Sequence, residues 1–197
     1  MAKPKKYYVL YKPAGYLSQF SPEHGKKCLS DLVDVPKDVY PVGRLDEMSE
    51  GMLLLTNDKN VNQQLLDPTN KHERSYLVQV EGQLNKKAVK QLKEGVEITL
   101  PDGQYTTKPA KAQKTGNPKL PDREPPVSFD KSKGVSWLKL VLTEGKNRQV
   151  RRMTAAVGFP TVRLVRTGIE NLDLGPLNPG ELQKLDRPTF YDKLNLH

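Results

Sequence analysis

Apolar side chains come in short blocks whose spacing switches between the period of two that suits a strand and the three-to-four spacing of a helix. Tyr7-Tyr8-Val9-Leu10-Tyr11 is aromatic and β-branched and stops at Lys12-Pro13-Ala14-Gly15, which predicts a strand entering a turn. Cys28 to Val33 reads as one or two helical turns ahead of Pro36, and Val39 to Val42 as extended chain, because Tyr40 precedes Pro41. Met52 to Thr56 is a continuous run of strand length. Asn57-Asp58 then offers an N-cap, and Val61, Leu65 and Leu66 follow at helical spacing up to Pro68.

Ser75 to Val80 alternates, with Tyr76, Val78 and Val80 on one face, as in a half-buried strand. Asn85 caps a predicted helix that turns Ala88, Val89 and Leu92 inward and solvates Lys86, Lys87, Lys90 and Lys93 before Gly95 ends it. Strand resumes at Val96 to Leu100. Residues 108–133 are rich in Lys and Pro and poor in large apolar residues, the composition of a long exposed excursion: a solvated connector, or a basic loop that touches nucleic acid. Val135 to Leu142 is again strand, Asn147 is the expected cap of a helix carrying Val150, Met153 and Val157, and Thr161 to Arg166 alternates as a last strand. Six or seven strands among three or so helices, with no βαβ regularity, make an α+β fold: a mixed, mainly antiparallel sheet with helices packed on it.

Of the 197 residues 36% are hydrophobic, enough for one sizeable core, so the expectation is one domain or two small halves. The longest apolar run, Met52 to Leu55, is far shorter than the ~18 residues of a membrane span. Lys3, Lys5 and Lys6 precede an apolar stretch that Lys12-Pro13 cuts off, leaving no secretion signal, so a cytoplasmic chain without a membrane partner is expected. One cysteine, Cys28, excludes an intrachain disulfide, and His24, His72 and His197 have no metal-site spacing. Glycine-rich phosphate loops are absent, so no nucleotide cofactor is expected. With 32 Lys and Arg against 23 Asp and Glu, the net charge of +9 points to an anionic partner. Without an exposed heptad pattern, a monomer is expected.

Two segments concentrate chemistry. In Gly43-Arg44-Leu45-Asp46-Glu47-Met48-Ser49-Glu50-Gly51, Arg44 and Asp46 occupy a polar loop ahead of the apolar run, where a rigid core can hold a side chain at a cleft edge. Asp46 is a candidate nucleophile or base, although the spacing alone fits an ordinary exposed ion pair better. In Glu144-Gly145-Lys146-Asn147-Arg148-Gln149-Val150-Arg151-Arg152-Met153, the three arginines fall on one face of the predicted helix, near an N-terminus that favours phosphate or a buried carboxylate. Arg163 and Arg166 are expected to extend this cationic surface, which favours a nucleic acid over an acidic protein.

Together these segments resemble the pseudouridine synthases of the RsuA/RluB/RluE/RluF family. Gly43 to Asp46 with Ser49-Glu50-Gly51 and the Leu-rich run to Asp58 is similar to its catalytic motif, Arg74-Ser75-Tyr76 to its tyrosine motif, Gly145 to Met153 to its arginine motif, and Lys12-Pro13 to its opening turn. The likeness runs from about Tyr8 to Leu185, with Met52 and Lys146 as mild departures from Leu and Arg. Within the family, Leu17-Ser18-Gln19-Phe20 and Ser136-Trp137-Leu138-Lys139 resemble a branch that acts on large-subunit (23S-type) ribosomal RNA.

The resemblance implies a single catalytic domain over 1–197, with two subdomains flanking a cleft. Most relatives carry an S4-type RNA-binding domain; only six residues precede the first strand here, so none is expected. Substrate choice then falls to the domain's own loops, residues 108–133 among them, or to a ribonucleoprotein context. The reaction implied is isomerisation of a uridine in RNA, with Asp46, Tyr76 and Arg151 as catalytic residues and Arg44, Lys146 and Arg148 binding the substrate. Asp46 would act as nucleophile or as base, beside Arg151. Neither metal nor cofactor is implied. Transfer RNA or small-subunit RNA stays open as substrate, and so does a non-catalytic ribosome-assembly factor, for which a carboxylate facing a polyanion would have no use.

Overall fold

The computed structural model describes residues 3–197; Met1 and Ala2, at the start of the expected domain, lie outside the described residues. Its elements in chain order are β1 (Tyr7–Lys12), β2 (Tyr40–Pro41), β3 (Glu50–Thr56), α1 (Lys59–Leu66), β4 (Arg74–Glu81), α2 (Lys86–Glu94), β5 (Glu97–Leu100), β6 (Gly103–Thr106), β7 (Lys111–Thr115), β8 (Val135–Leu142), α3 (Gln149–Ala156), β9 (Thr161–Ile169), β10 (Leu172–Asp173), β11 (Leu182–Leu185) and α4 (Arg187–Lys193). One sheet runs β11-β1-β3-β9-β4-β8-β7, with β2 on β3 and β10 on β9, while β5 and β6 form a separate hairpin. The sheet is mixed and mainly antiparallel. Its one parallel contact, β3 on β9, is only Glu50 opposite Val165 and Gly51 opposite Arg166.

That short contact is a seam between two halves. In the first half β3 is buried along its whole length. Met52 and Leu54 enter a core with Tyr7, Val9 and α4's Phe190, while Leu53 and Leu55 enter a second core with Leu10 and Leu29 on the opposite face. Alternation is invisible in such a strand because both faces are dry. The second half packs α2 and α3 on β4 and β8 through Ala88, Leu92, Val150 and Met153. At the seam Gly51 has φ +102, and a Cβ there would collide with the Arg166 backbone, so only glycine lets β3 and β9 come this close.

Several expectations change. Asn147 does not cap α3: Arg148 is the N-cap residue, in the left-handed region at φ 50, with no side-chain cap. Residues 108–133 are not all excursion, because β7 pairs with β8 from Lys111 opposite Val141 to Thr115 opposite Trp137. Arg163 and Arg166 do not extend a surface; both are buried, at 7% and 6% exposure, since β9 lies in the middle of the sheet.

Candidate active site

A cleft of about 750 Å³ opens over the seam and takes side chains from both halves. Asp46 comes from the β2–β3 loop of the first half; Tyr76 of β4 and Arg148 of the β8–α3 loop come from the second.

The Asp46 loop is locked from below. Ser18 Oγ donates to the Leu45 carbonyl at 2.8 Å and accepts from the Leu45 amide at 3.0 Å. The Gly15 amide donates to the Glu47 carbonyl at 2.9 Å. Lys12, fully buried, donates from Nζ to the carbonyls of Pro13 and Tyr16 at 2.8 Å and of Glu47 at 3.1 Å. Burial pushes the Lys12 pKa down to about 7, against the pull of Glu50, Asp46 and Glu47.

Above this base the Asp46 carboxylate stays open to the cleft, its side chain 32% exposed. Its Oδ2 accepts from Arg148 Nη1 at 3.2 Å and lies 3.7 Å from Arg151 Nε. Arg151 is also 3.4 Å from Ser49 Oγ through Nη2, while its buried Nε has no hydrogen-bond acceptor. Burial and the like charge of Arg148 lower the Arg151 pKa, and Asp46 opposes them. Arg152 turns away, donating to the Thr99 carbonyl at 2.5 Å and to Asn147 Oδ1 at 3.1 Å, so the three arginines do not share one face. Arg151 and Arg152 are consecutive residues of α3, about 100° apart around its axis, so they leave it in different directions, while Arg148 stands before the helix.

Tyr76 is half-buried on the cleft wall, just past a register slip between Ser75 and Tyr76 that re-aims the strand. Behind it Arg166 donates from Nε to the Met52 carbonyl at 2.8 Å, and its buried Nη2 has no partner. Burial lowers the Arg166 pKa, with Tyr76 the first group opposing the shift. Arg44 and Lys146 stand exposed on the rim.

Sequence reasoning missed the wall opposite. Glu144, 4% exposed, accepts from Tyr105 Oη at 2.5 Å, the Lys108 amide at 2.8 Å and Gln149 Nε2 at 2.6 Å, tying the β5–β6 hairpin to the start of α3. The hydrogen bond to Glu144 pushes the Tyr105 pKa up to about 12. Lys146 Nζ sits 4.8 Å over the Tyr105 ring. The only signal in the sequence was a glutamate two residues after an apolar strand, where a buried acceptor and a solvated charge fit equally well. Among the described residues no cluster of three or more His, Cys, Asp or Glu is placed to hold a metal ion, and no helix is long and apolar enough to cross a membrane.

A solved structure described as a pseudouridylate synthase superposes with a TM-score of 0.77 at 26% identity, covering 98% of this chain and 75% of its own, so the fold is that of a pseudouridine synthase. The family model for RNA pseudouridylate synthase matches residues 6–156. Ribosomal large subunit pseudouridine synthase E of Vibrio parahaemolyticus is 43% identical over 181 residues, 92% of this chain and 74% of that protein. The protein of the same name from Xanthomonas axonopodis pv. citri is 46% identical over 174 residues, 87% and 89% of the two chains. The chain therefore belongs to the RNA pseudouridylate synthase family and is an isomerase.

Proposed function

We propose that this enzyme converts a specific uridine of large-subunit (23S-type) ribosomal RNA to pseudouridine, as a cytoplasmic monomer without a cofactor. The observation that carries the reading is the Asp46 carboxylate, held on a locked loop, open to the cleft and flanked by Arg148 and Arg151. The names of the Vibrio and Xanthomonas relatives support the ribosomal substrate.

The target base leaves its stack and enters the cleft, at a cost of a few kcal/mol. Tyr76 stacks on it, returning about 1–3 kcal/mol. Asp46 attacks the ribose or the base, in a bond that breaks again before product leaves, or removes a ribose proton that it later returns. The C1′–N1 bond breaks, the uracil turns, C1′ joins C5, and the C5 proton leaves as N1 gains one, so no atom is gained or lost overall. Arg151 steadies the carboxylate. Arg44 fills the vacated stack or holds an adjoining phosphate, and Arg148 and Lys146 bind backbone phosphates.

The test is tritium release from RNA labelled at uridine C5, with Asp46→Ala as control. Release by the wild type alone is the expected result, and no release above the control overturns the reading. Pseudouridine mapping in a deletion strain then gives the target: loss of a large-subunit site is expected, and loss confined to transfer or small-subunit RNA rejects that part.

A further inference from the structure

The site draws Asp46 from one half of the sheet and its arginines from the other, yet the halves share only two residue pairs of parallel ladder. Across the seam Met52 and Leu54 share a core with Val165 and Ile169, and Arg166 donates to the Met52 carbonyl, but apolar packing is non-directional, and a misplacement of about 1 Å can cost about 100-fold in rate.

A buried charge cluster spans the seam. Glu50, the first residue of β3 and 1% exposed, receives Arg163 of β9 in a fork, Nε to Oε2 at 2.9 Å and Nη2 to Oε1 at 2.8 Å. A second guanidinium, Arg123, puts Nε 3.3 Å from Oε2, with its side chain only 7% exposed. Arg123 comes from the Lys- and Pro-rich stretch between β7 and β8, both strands of the second half.

That stretch crosses the seam and returns. Its feet are tied to the second half: Lys114 Nζ donates to the Leu84 carbonyl at 3.0 Å, and Lys133 Nζ to Glu81 at 2.9 Å. Its middle reaches the seam, where Leu120 packs against the core that β1, β3 and β9 share. Pro125 stands 3.9 Å from the Cβ position of Gly15, in the turn that holds the Asp46 loop. The Pro121 carbonyl accepts from Arg163 at 2.8 Å.

We propose that residues 117–127 form a latch across the seam, and that Arg123, acting through Glu50, is a positioning residue that sets Asp46 against Arg151. The proposal rests on the function proposed above. The Arg123 side chain is buried against Glu50 and offers no exposed donor to a phosphate, so its loss should slow the chemical step and leave RNA affinity alone.

The full-length chain is assayed by single-turnover tritium release and by RNA binding. Arg123→Met is expected to lower the rate about 10- to 100-fold with the RNA Kd within about twofold, and Arg123→Lys to recover most of the rate. An unchanged rate reduces the stretch to a connector and overturns the proposal. So does a weaker Kd with a shallower salt dependence at unchanged rate, which is the mark of an RNA contact. Leu120→Ala, which leaves no buried charge unpaired, should give the same pattern more weakly if Arg123→Met fails to fold. Amide exchange without RNA separates this proposal from the function it rests on: Arg123→Met should speed exchange at Glu50 to Met52 and Val165 to Thr167 even if the wild type releases no tritium, and unchanged protection there rejects the latch.

Discussion

Asp46 and Glu50 stand four residues apart and each meets two arginines, yet they end in opposite states. Glu50 is 1% exposed, and both its oxygens accept from Arg163 at 2.8 and 2.9 Å. Asp46 is one-third exposed, with one contact at 3.2 Å and another at 3.7 Å, both to the same oxygen. A carboxylate whose lone pairs are taken up by buried donors holds structure together and has nothing left for a substrate. A carboxylate held by its backbone, with cations near but not closed on it, keeps an oxygen for chemistry. The same residue types thus divide into a joint and a reagent, according to how completely their hydrogen bonds are satisfied.

The sharpest break between the two comes from removing each carboxylate. Asp46→Asn should lose about 10³- to 10⁴-fold in tritium release while urea unfolding moves by less than about 1 kcal/mol. Activity surviving in that variant would put the chemistry elsewhere. Glu50→Ala should do the reverse to stability, costing about 3–5 kcal/mol in the same urea titration, because Arg163 and Arg123 stay buried without their counter-ion. A stable Glu50→Ala would mean that the buried cluster relaxes to solvent and is no joint.

The arginines sharpen the comparison. Arg151, with its side chain 17% exposed, should behave as part of the reagent: Arg151→Ala loses about 100-fold in rate with an unchanged circular dichroism spectrum. Arg148, half exposed, should behave as a phosphate contact, so Arg148→Ala raises KM and lowers the slope of log K against log salt by about 1. Equal effects of the two on KM would merge their roles.

The sequence made one member of this comparison legible and hid the other. Asp46 was visible because an ordered motif surrounds it, and the strand behind it because apolar runs of that length are distinctive. Arg163 was expected on a cationic surface and Glu50 and Arg123 had no reading of their own, since composition assigns charged residues to water and only the central place of β9 puts this cluster in the interior. A clue lay in the pattern: Arg163 and Arg166 flank Leu164 and Val165 in a strand buried on both faces. β6 and β7 went unread for the opposite reason. Gly103 to Thr106 and Lys111 to Thr115 are mostly exposed edge or hairpin strands, so no apolar alternation marks them, and pairing with β5 and β8 alone defines them.

Lys12 tests the smallest difference, between a charge held by carbonyls and one held by a counter-ion. Its ammonium reaches three carbonyls and no carboxylate, and burial takes its pKa from the ordinary 10.5 down to about 7. Between those values the unfolded chain carries one proton more than the folded chain, so this group makes stability rise with pH through that window and adds no further pH dependence below about 7, where both states are protonated. Lys12→Met removes the titration. The wild type minus Lys12→Met difference in unfolding free energy, measured by urea at several pH values, should therefore grow from about pH 7 to about pH 10. A difference that stays flat would mean that the three carbonyls keep the proton on Lys12, and that the floor of the Asp46 loop is a fixed charge like the Glu50 cluster beside it.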